Sequence, residues 1–145
     1  MKFNPINFFN LAIIIIMLVP NVLYALSNKD IKNKCTNKAM NVAEWVGRFG
    51  CMLFMVVPFG VGEFGFYNVI DFIVYLFANA ALLAVYLIFW KMYEKKPNVV
   101  KAVVLAVVPT LIFFICGATL RHFILLACTV MFGVSHIYIT IVNNK

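Results

Sequence analysis

Five apolar runs, each about as long as an α-helix must be to cross a hydrocarbon core, are separated in this chain by connections whose lysines collect in alternate positions. The runs cover about residues 8–26, 41–61, 68–91, 99–118 and 121–142. Lipid offers backbone N–H and C=O groups no partner, so a segment of this length satisfies itself as a helix. The expected fold is therefore all-α: a single transmembrane domain over residues 1–145, built as a polytopic bundle of five spanning helices.

The lysines set an expected orientation. The connection after the first run holds Lys29, Lys32, Lys34 and Lys38 against Asp30, and the one after the third holds Lys91, Lys95, Lys96 and Lys101 against Glu94. Lys/Arg excess marks cytoplasmic loops, which places the N-terminus outside and Lys145 inside. The remaining connections carry Glu63 among Gly60, Gly62 and Gly65, or Arg121 with His122, and fall outside. A cleaved leader is the competing account of the first run. The stretch from Tyr24 to Ser27 lacks an A-x-A-like site and the four lysines after it resist export, so retention as a spanning helix is expected.

Composition agrees with a lipid-solvated chain: 65% of residues are hydrophobic and 12% charged. The net charge of +7 lies in short loops beside apolar runs and not on a soluble basic face. Anionic headgroups, and not nucleic acid, are its expected counter-charge. The expected partners are the bilayer of the cell membrane and a membrane-protein partner or a second copy of the chain. Cys35, Cys51, Cys116 and Cys128 show no CxxC spacing and read as structural thiols. Tyr24, Trp45, Phe66, Tyr67, Trp90, Tyr93 and Tyr138 sit near run ends, where amphipathic rings favour the headgroup layer.

Polar chemistry inside the runs is sparse. Glu44 and Arg48 stand at i, i+4, carboxylate first, and share a helical face on which they neutralise each other. Ala43, Gly47 and Cys51 repeat every fourth residue beside them, with Gly50 adjacent, and mark a face for close helix approach. In the third run Asp71, Tyr75, Asn79, Leu82, Tyr86 and Tyr93 fall within about 80° of arc. That stripe suits an interhelical hydrogen-bond zipper or the wall of a ligand path.

At a rise of 1.5 Å per residue, Asn21, Glu44, Arg48, Tyr86, Ser135 and His136 lie roughly 4 to 11 Å from the inner ends of their runs. Pro20 frees a backbone carbonyl in the same layer. The layer is either a cytoplasm-facing pocket, with Arg48 binding an anion and Glu44 orienting it, or a sealed network that fixes register. The candidate binding residues are Asn21, Glu44, Arg48, Asn79, Tyr86 and His136. An outer group of Glu63, Asp71, Arg121 and His122 lies close enough to water for solvation to explain it. No residue is assigned to catalysis or metal binding and no cofactor is expected: HExxH, GxSxG and Walker patterns are missing. His122 and His136 stand about 21 Å apart in height, too far to share a haem.

The segments Pro20-Asn21-Val22-Leu23-Tyr24 and Glu44-Trp45-Val46-Gly47-Arg48-Phe49-Gly50-Cys51-Met52 resemble stretches of small, uncharacterised bacterial multi-span membrane proteins. The resemblance covers the first third of the chain and implies no activity. The expected role is that of a small integral membrane protein with no activity assigned by motif, an accessory or interaction subunit; the alternatives are a transporter or permease-like protein binding a small polar or anionic solute at the inner layer and, after it, a lipid-modifying enzyme.

Overall fold

The computed structural model describes residues 8–30, 32–57 and 66–145. These form five helices: α1 (Phe8–Ser27), α2 (Lys38–Val56), α3 (Val69–Lys95), α4 (Val99–Thr119) and α5 (Phe123–Asn144). No strand occurs among the described residues. Four of the helices, α1, α3, α4 and α5, are long and apolar enough to cross a membrane. The exception is α2, where Asn41, Glu44 and Arg48 dilute the apolar content. The chain thus carries the helices of a membrane-embedded protein.

The helix ends follow local chemistry more closely than the hydropathy boundaries do. Asn37, Asn68 and Asn98 cap α2, α3 and α4, each side-chain oxygen accepting a backbone N–H of the first turn, as from Asp71 N at 2.8 Å and Lys101 N at 2.8 Å. At its far end α2 stops at Val56, short of residue 61, because Val57 precedes Pro58 in the sequence and is held extended at φ −109° and ψ 131°. By contrast α3 runs to Lys95, past the apolar run, and places a basic residue in its last turn where the helix dipole favours one. Glu63 and its neighbouring glycines lie outside the described residues.

Packing runs in the order α2, α5, α4, α3, with α1 laid across α3 and α2. The small-residue face of α2 is the one that meets α5. A Cβ on Gly47 would stand 2.8 Å from the backbone nitrogen of Phe132, so the two backbones approach as closely as a bare glycine permits. Cys51 Sγ lies 3.8 Å from Thr129 Oγ1 in the same seam. Between α4 and α5, Gly133 faces Thr110 with equally little room: its Cβ would fall 2.6 Å from Thr110 Cγ2.

Polar bonds hold α1 in place. Its inward face carries Asn10, Ile13, Ile14 and Met17. Asn10 accepts from the Tyr75 hydroxyl at 2.5 Å and donates to the Met55 carbonyl at 2.7 Å, tying α1 to α3 and α2. Eleven residues on, and so about 20° away around the helix, Asn21 donates to the Tyr86 hydroxyl at 2.5 Å. Tyr86 in turn donates to the Met17 carbonyl at 3.3 Å. Further along the α3 stripe, Asn79 Nδ2 reaches Cys116 Sγ of α4 at 3.6 Å and Tyr93 donates to Asn144 of α5 at 3.0 Å. The stripe is an interhelical zipper along most of its length.

The connecting residues 28–30, 32–37 and 96–98 and the end of α5 share one end of the bundle, where Asn143 Oδ1 accepts from the backbone of Lys34 at 2.8 Å. The opposite end holds Arg121, at φ 54°, with its guanidinium 4.5 Å from the centre of the Tyr67 ring and 3.9 Å from an Asp71 oxygen. His122 departs from the expected outer polar group: it is fully buried and caps α5, its Nδ1 accepting from Leu125 N at 3.3 Å.

Candidate functional site

Helical spacing brings Glu44 and Arg48 of α2 together, and the tight α2–α5 seam then carries His136 to the same carboxylate. Glu44 Oε1 accepts from Arg48 Nη2 and lies 3.2 Å from His136 Nδ1. The imidazole stacks on Phe132, one turn earlier on α5, with ring centres 4.7 Å apart and planes 16° from parallel. Phe132 meets Phe113 of α4 edge to face at 5.4 Å. The side chains are partly covered, Glu44 at 12% exposure, His136 at 24% and Arg48 at 42%. The carboxylate is the best-shielded member of the trio, as an acceptor serving two donors should be.

Arg48, His136, Phe132 and Phe113 border a cavity of about 100 Å³ lined by all five helices. Asn21, Arg48, Tyr86 and His136 supply its polar groups, and Met52, Pro109, Phe113 and Phe132 its apolar walls. A second cavity of about 150 Å³ adjoins it on the lysine-rich side, sharing Asn21, Leu105 and His136 and continuing past Tyr24, Trp90 and Tyr93 to Asn144. The three rings pack together there, with centre-to-centre distances of 5.2 to 5.9 Å. His136 stands where the two spaces meet.

No protein-family model, no curated protein and no solved structure matches the chain.

Of the sequence candidates, the structure gathers Asn21, Arg48, Tyr86 and His136 around one cavity, with Glu44 bonded just behind it. Asn79 is not among them. It is 2% exposed, spends its amide on Cys116, and lies two turns from Tyr86 toward the other end of α3. Ser135 turns its hydroxyl back to the Met131 carbonyl at 2.6 Å, as serines in lipid-solvated helices do. The sequence reading missed Phe132, although its i, i−4 relation to His136 puts both on one face. Tyr24, Trp90 and Tyr93, expected near the headgroup layer, wall the second cavity. Trp45 and Tyr67, at 62% and 77% exposure, remain outward-facing.

Chemically, the trio offers a guanidinium, a carboxylate and an imidazole, the carboxylate within hydrogen-bonding reach of the other two. The residues lining the central cavity include no Ser, Thr or Cys side chain that could act as a nucleophile. Among the described residues no group of three or more His, Cys, Asp or Glu side chains is placed to hold a metal ion.

Proposed function

We propose that this chain is a multi-pass protein of the cell membrane with five spans, N-terminus out and C-terminus in, that binds a small polar or anionic solute in its inner-half cavity in the manner of a transporter or permease. Orientation is supported by nine lysines that lie in, or within five residues of, the two connections and at the chain end gathered at one pole of the bundle. The fifth span is α2, whose charges pair within the bundle: Arg48 with Glu44, and Glu44 with His136.

The observation that carries the solute reading is convergence of Arg48, Asn21, Tyr86 and His136 from four helices on one cavity. A sealed register-fixing network would fill that space with side chains. The volume of about 100 Å³ restricts the occupant. Drug-sized ligands take roughly 300–1,000 Å³, and one water has a share of about 30 Å³, so the cavity suits a solute of a few heavy atoms. Arg48, with five N–H donors in a planar fork, favours a small carboxylate or inorganic anion among such solutes.

Access to Arg48 tests the reading. In a background with the native cysteines replaced, Met52→Cys places a thiol on the cavity wall beside Arg48. The expected result is labelling by a negatively charged methanethiosulfonate from the cytoplasmic side, slowed by millimolar formate, with the formate protection lost when Arg48→Leu removes the guanidinium. A thiol that resists labelling from either side of sealed vesicles argues for a closed network.

An accessory or interaction subunit is the second reading, favoured by a wholly apolar groove of about 420 Å³ on the flank of α4 and α5, bordered by Leu111, Phe114, Val130 and Val134. A stoichiometric membrane-protein partner or second copy retained in mild detergent supports it. A solitary chain in several detergents counts against it.

A further inference from the structure

On the solute-pocket reading, on which this inference rests, the charge state of the pocket decides whether it can hold an anion. With a neutral imidazole, Arg48 and Glu44 cancel and the trio has no net charge. The other titratable side chains facing the two cavities are Tyr24 from α1 and Tyr86 and Tyr93 from α3; α4 contributes Leu105, Ala106 and Pro109 and no charge. Phenols are neutral near pH 7, so none of these can offset an incoming negative charge. An anion entering the neutral site would stand uncompensated in a partly desolvated place, which costs binding unless one positive charge arrives with it. His136 is the group able to supply that charge.

The hydrogen bonding says where the proton goes. A carboxylate only accepts, so the 3.2 Å contact with Glu44 puts a hydrogen on His136 Nδ1 and leaves the lone pair at Nε2. Protonation at Nε2 keeps the bond to Glu44 and makes the ring an imidazolium. The stacked Phe132 ring, 4.7 Å away, favours that cation through its π face. His136 also lines the second cavity, which leads toward the lysine-rich end, so the imidazole stands between the space reached from that end and the space at Arg48.

We propose that the cavity takes up a small monovalent anion together with one proton, which passes from water to Nε2 of His136 on binding and returns to water when the anion leaves. The anion neutralises the extra positive charge, and charge in the site is conserved through the cycle.

Titration calorimetry of the full chain in detergent, with sodium formate and in parallel sodium chloride as probes, tests the coupling between about pH 6 and pH 8. Buffers of different ionisation enthalpy count the protons. The expected result is uptake of close to one proton per anion at the alkaline end, with affinity falling nearly tenfold per pH unit there. His136→Asn keeps an N–H for Glu44 but cannot take the proton, and should bind weakly with no pH dependence. Binding by the wild type that is equally tight across the range and shows no buffer-dependent heat overturns the proton coupling while leaving the anion pocket intact. Absence of both formate and chloride binding at every pH removes the pocket reading and the coupling with it. The wild-type titrations decide the matter even if the variant does not fold.

Discussion

His136 Nδ1 and Glu44 Oε1 lie 3.2 Å apart across 92 residues of sequence, joining the last helix to the second through one carboxylate oxygen. Because Arg48 donates to that same oxygen, the carboxylate is the keystone of the trio and its removal leaves two donors without their acceptor. Glu44→Leu should therefore cost more stability than Arg48→Leu. Breaking a buried pair from one side costs about 3–5 kcal/mol, and the partial exposure of Arg48 places this case at or below the lower bound. Thermal unfolding in detergent checks the order, and the double variant Glu44→Leu, Arg48→Leu should recover part of the loss. Equal losses in the two single variants would mean that the carboxylate does not serve both donors.

The two tight glycines should differ in their tolerance. Gly47→Ala drives a Cβ against the backbone of Phe132, which cannot move without shifting α5, whereas Gly133→Ala meets the side chain of Thr110. Overpacking of this kind costs about 1–3 kcal/mol, and Gly47→Ala should sit at the high end with Gly133→Ala below it. Melting temperatures of the two variants measured side by side give the comparison.

Helix α1 should loosen when its polar ties are cut. Asn10→Leu removes bonds to both Tyr75 and Met55, and Tyr86→Phe removes those to Asn21 and Met17. Interhelical hydrogen bonds in membranes average about 0.6 kcal/mol and reach about 1.7 kcal/mol, so the double loss at Asn10 should exceed 1 kcal/mol. Faster hydrogen exchange confined to the amides of Phe8–Ser27 is the expected signature. Uniform acceleration over all five helices would instead mean that α1 is inseparable from the rest of the bundle.

Stability should fall on acidification through His122, in the turn between α4 and α5. Its Nδ1 accepts the α5 cap bond, and burial holds its imidazole below the ordinary value of 6.5, so the native state keeps it neutral. The unfolded chain takes up a proton that the native chain refuses. The contribution is therefore whole above pH 6.5 and is lost as pH drops below it, at up to about 1.4 kcal/mol per unit. His122→Asn preserves a capping side chain without titrating. Melting curves of wild type and variant should diverge below that pH and run parallel above it.

Part of the site was legible in the sequence because helical geometry is local. The i, i+4 relation of Glu44 and Arg48, the small face of Gly47 and Cys51, and the depth shared by Asn21, Tyr86 and His136 follow from a rise and a turn per residue. The Asn caps at positions 37, 68 and 98 and the stop before Pro58 were equally local, and hydropathy runs blurred them because they weigh lipid solubility and not hydrogen bonding. Asn79 shows the limit. It shares the stripe with Tyr86, yet which neighbour it meets depends on α4 presenting Cys116 at that height.

Apolar run length and lysine placement sufficed for a helical chain built for lipid, because desolvating the backbone and charges is costly residue by residue, whatever the partners. Tertiary packing alone decided that α5 lies against α2 and so gives Glu44 a second donor, and that Tyr24, Trp90 and Tyr93 turn inward around a cavity. The reason is physical: which helix seats against which depends on complementary surfaces far apart in the chain, as where Gly47 admits the backbone of Phe132, and no local periodicity encodes that match.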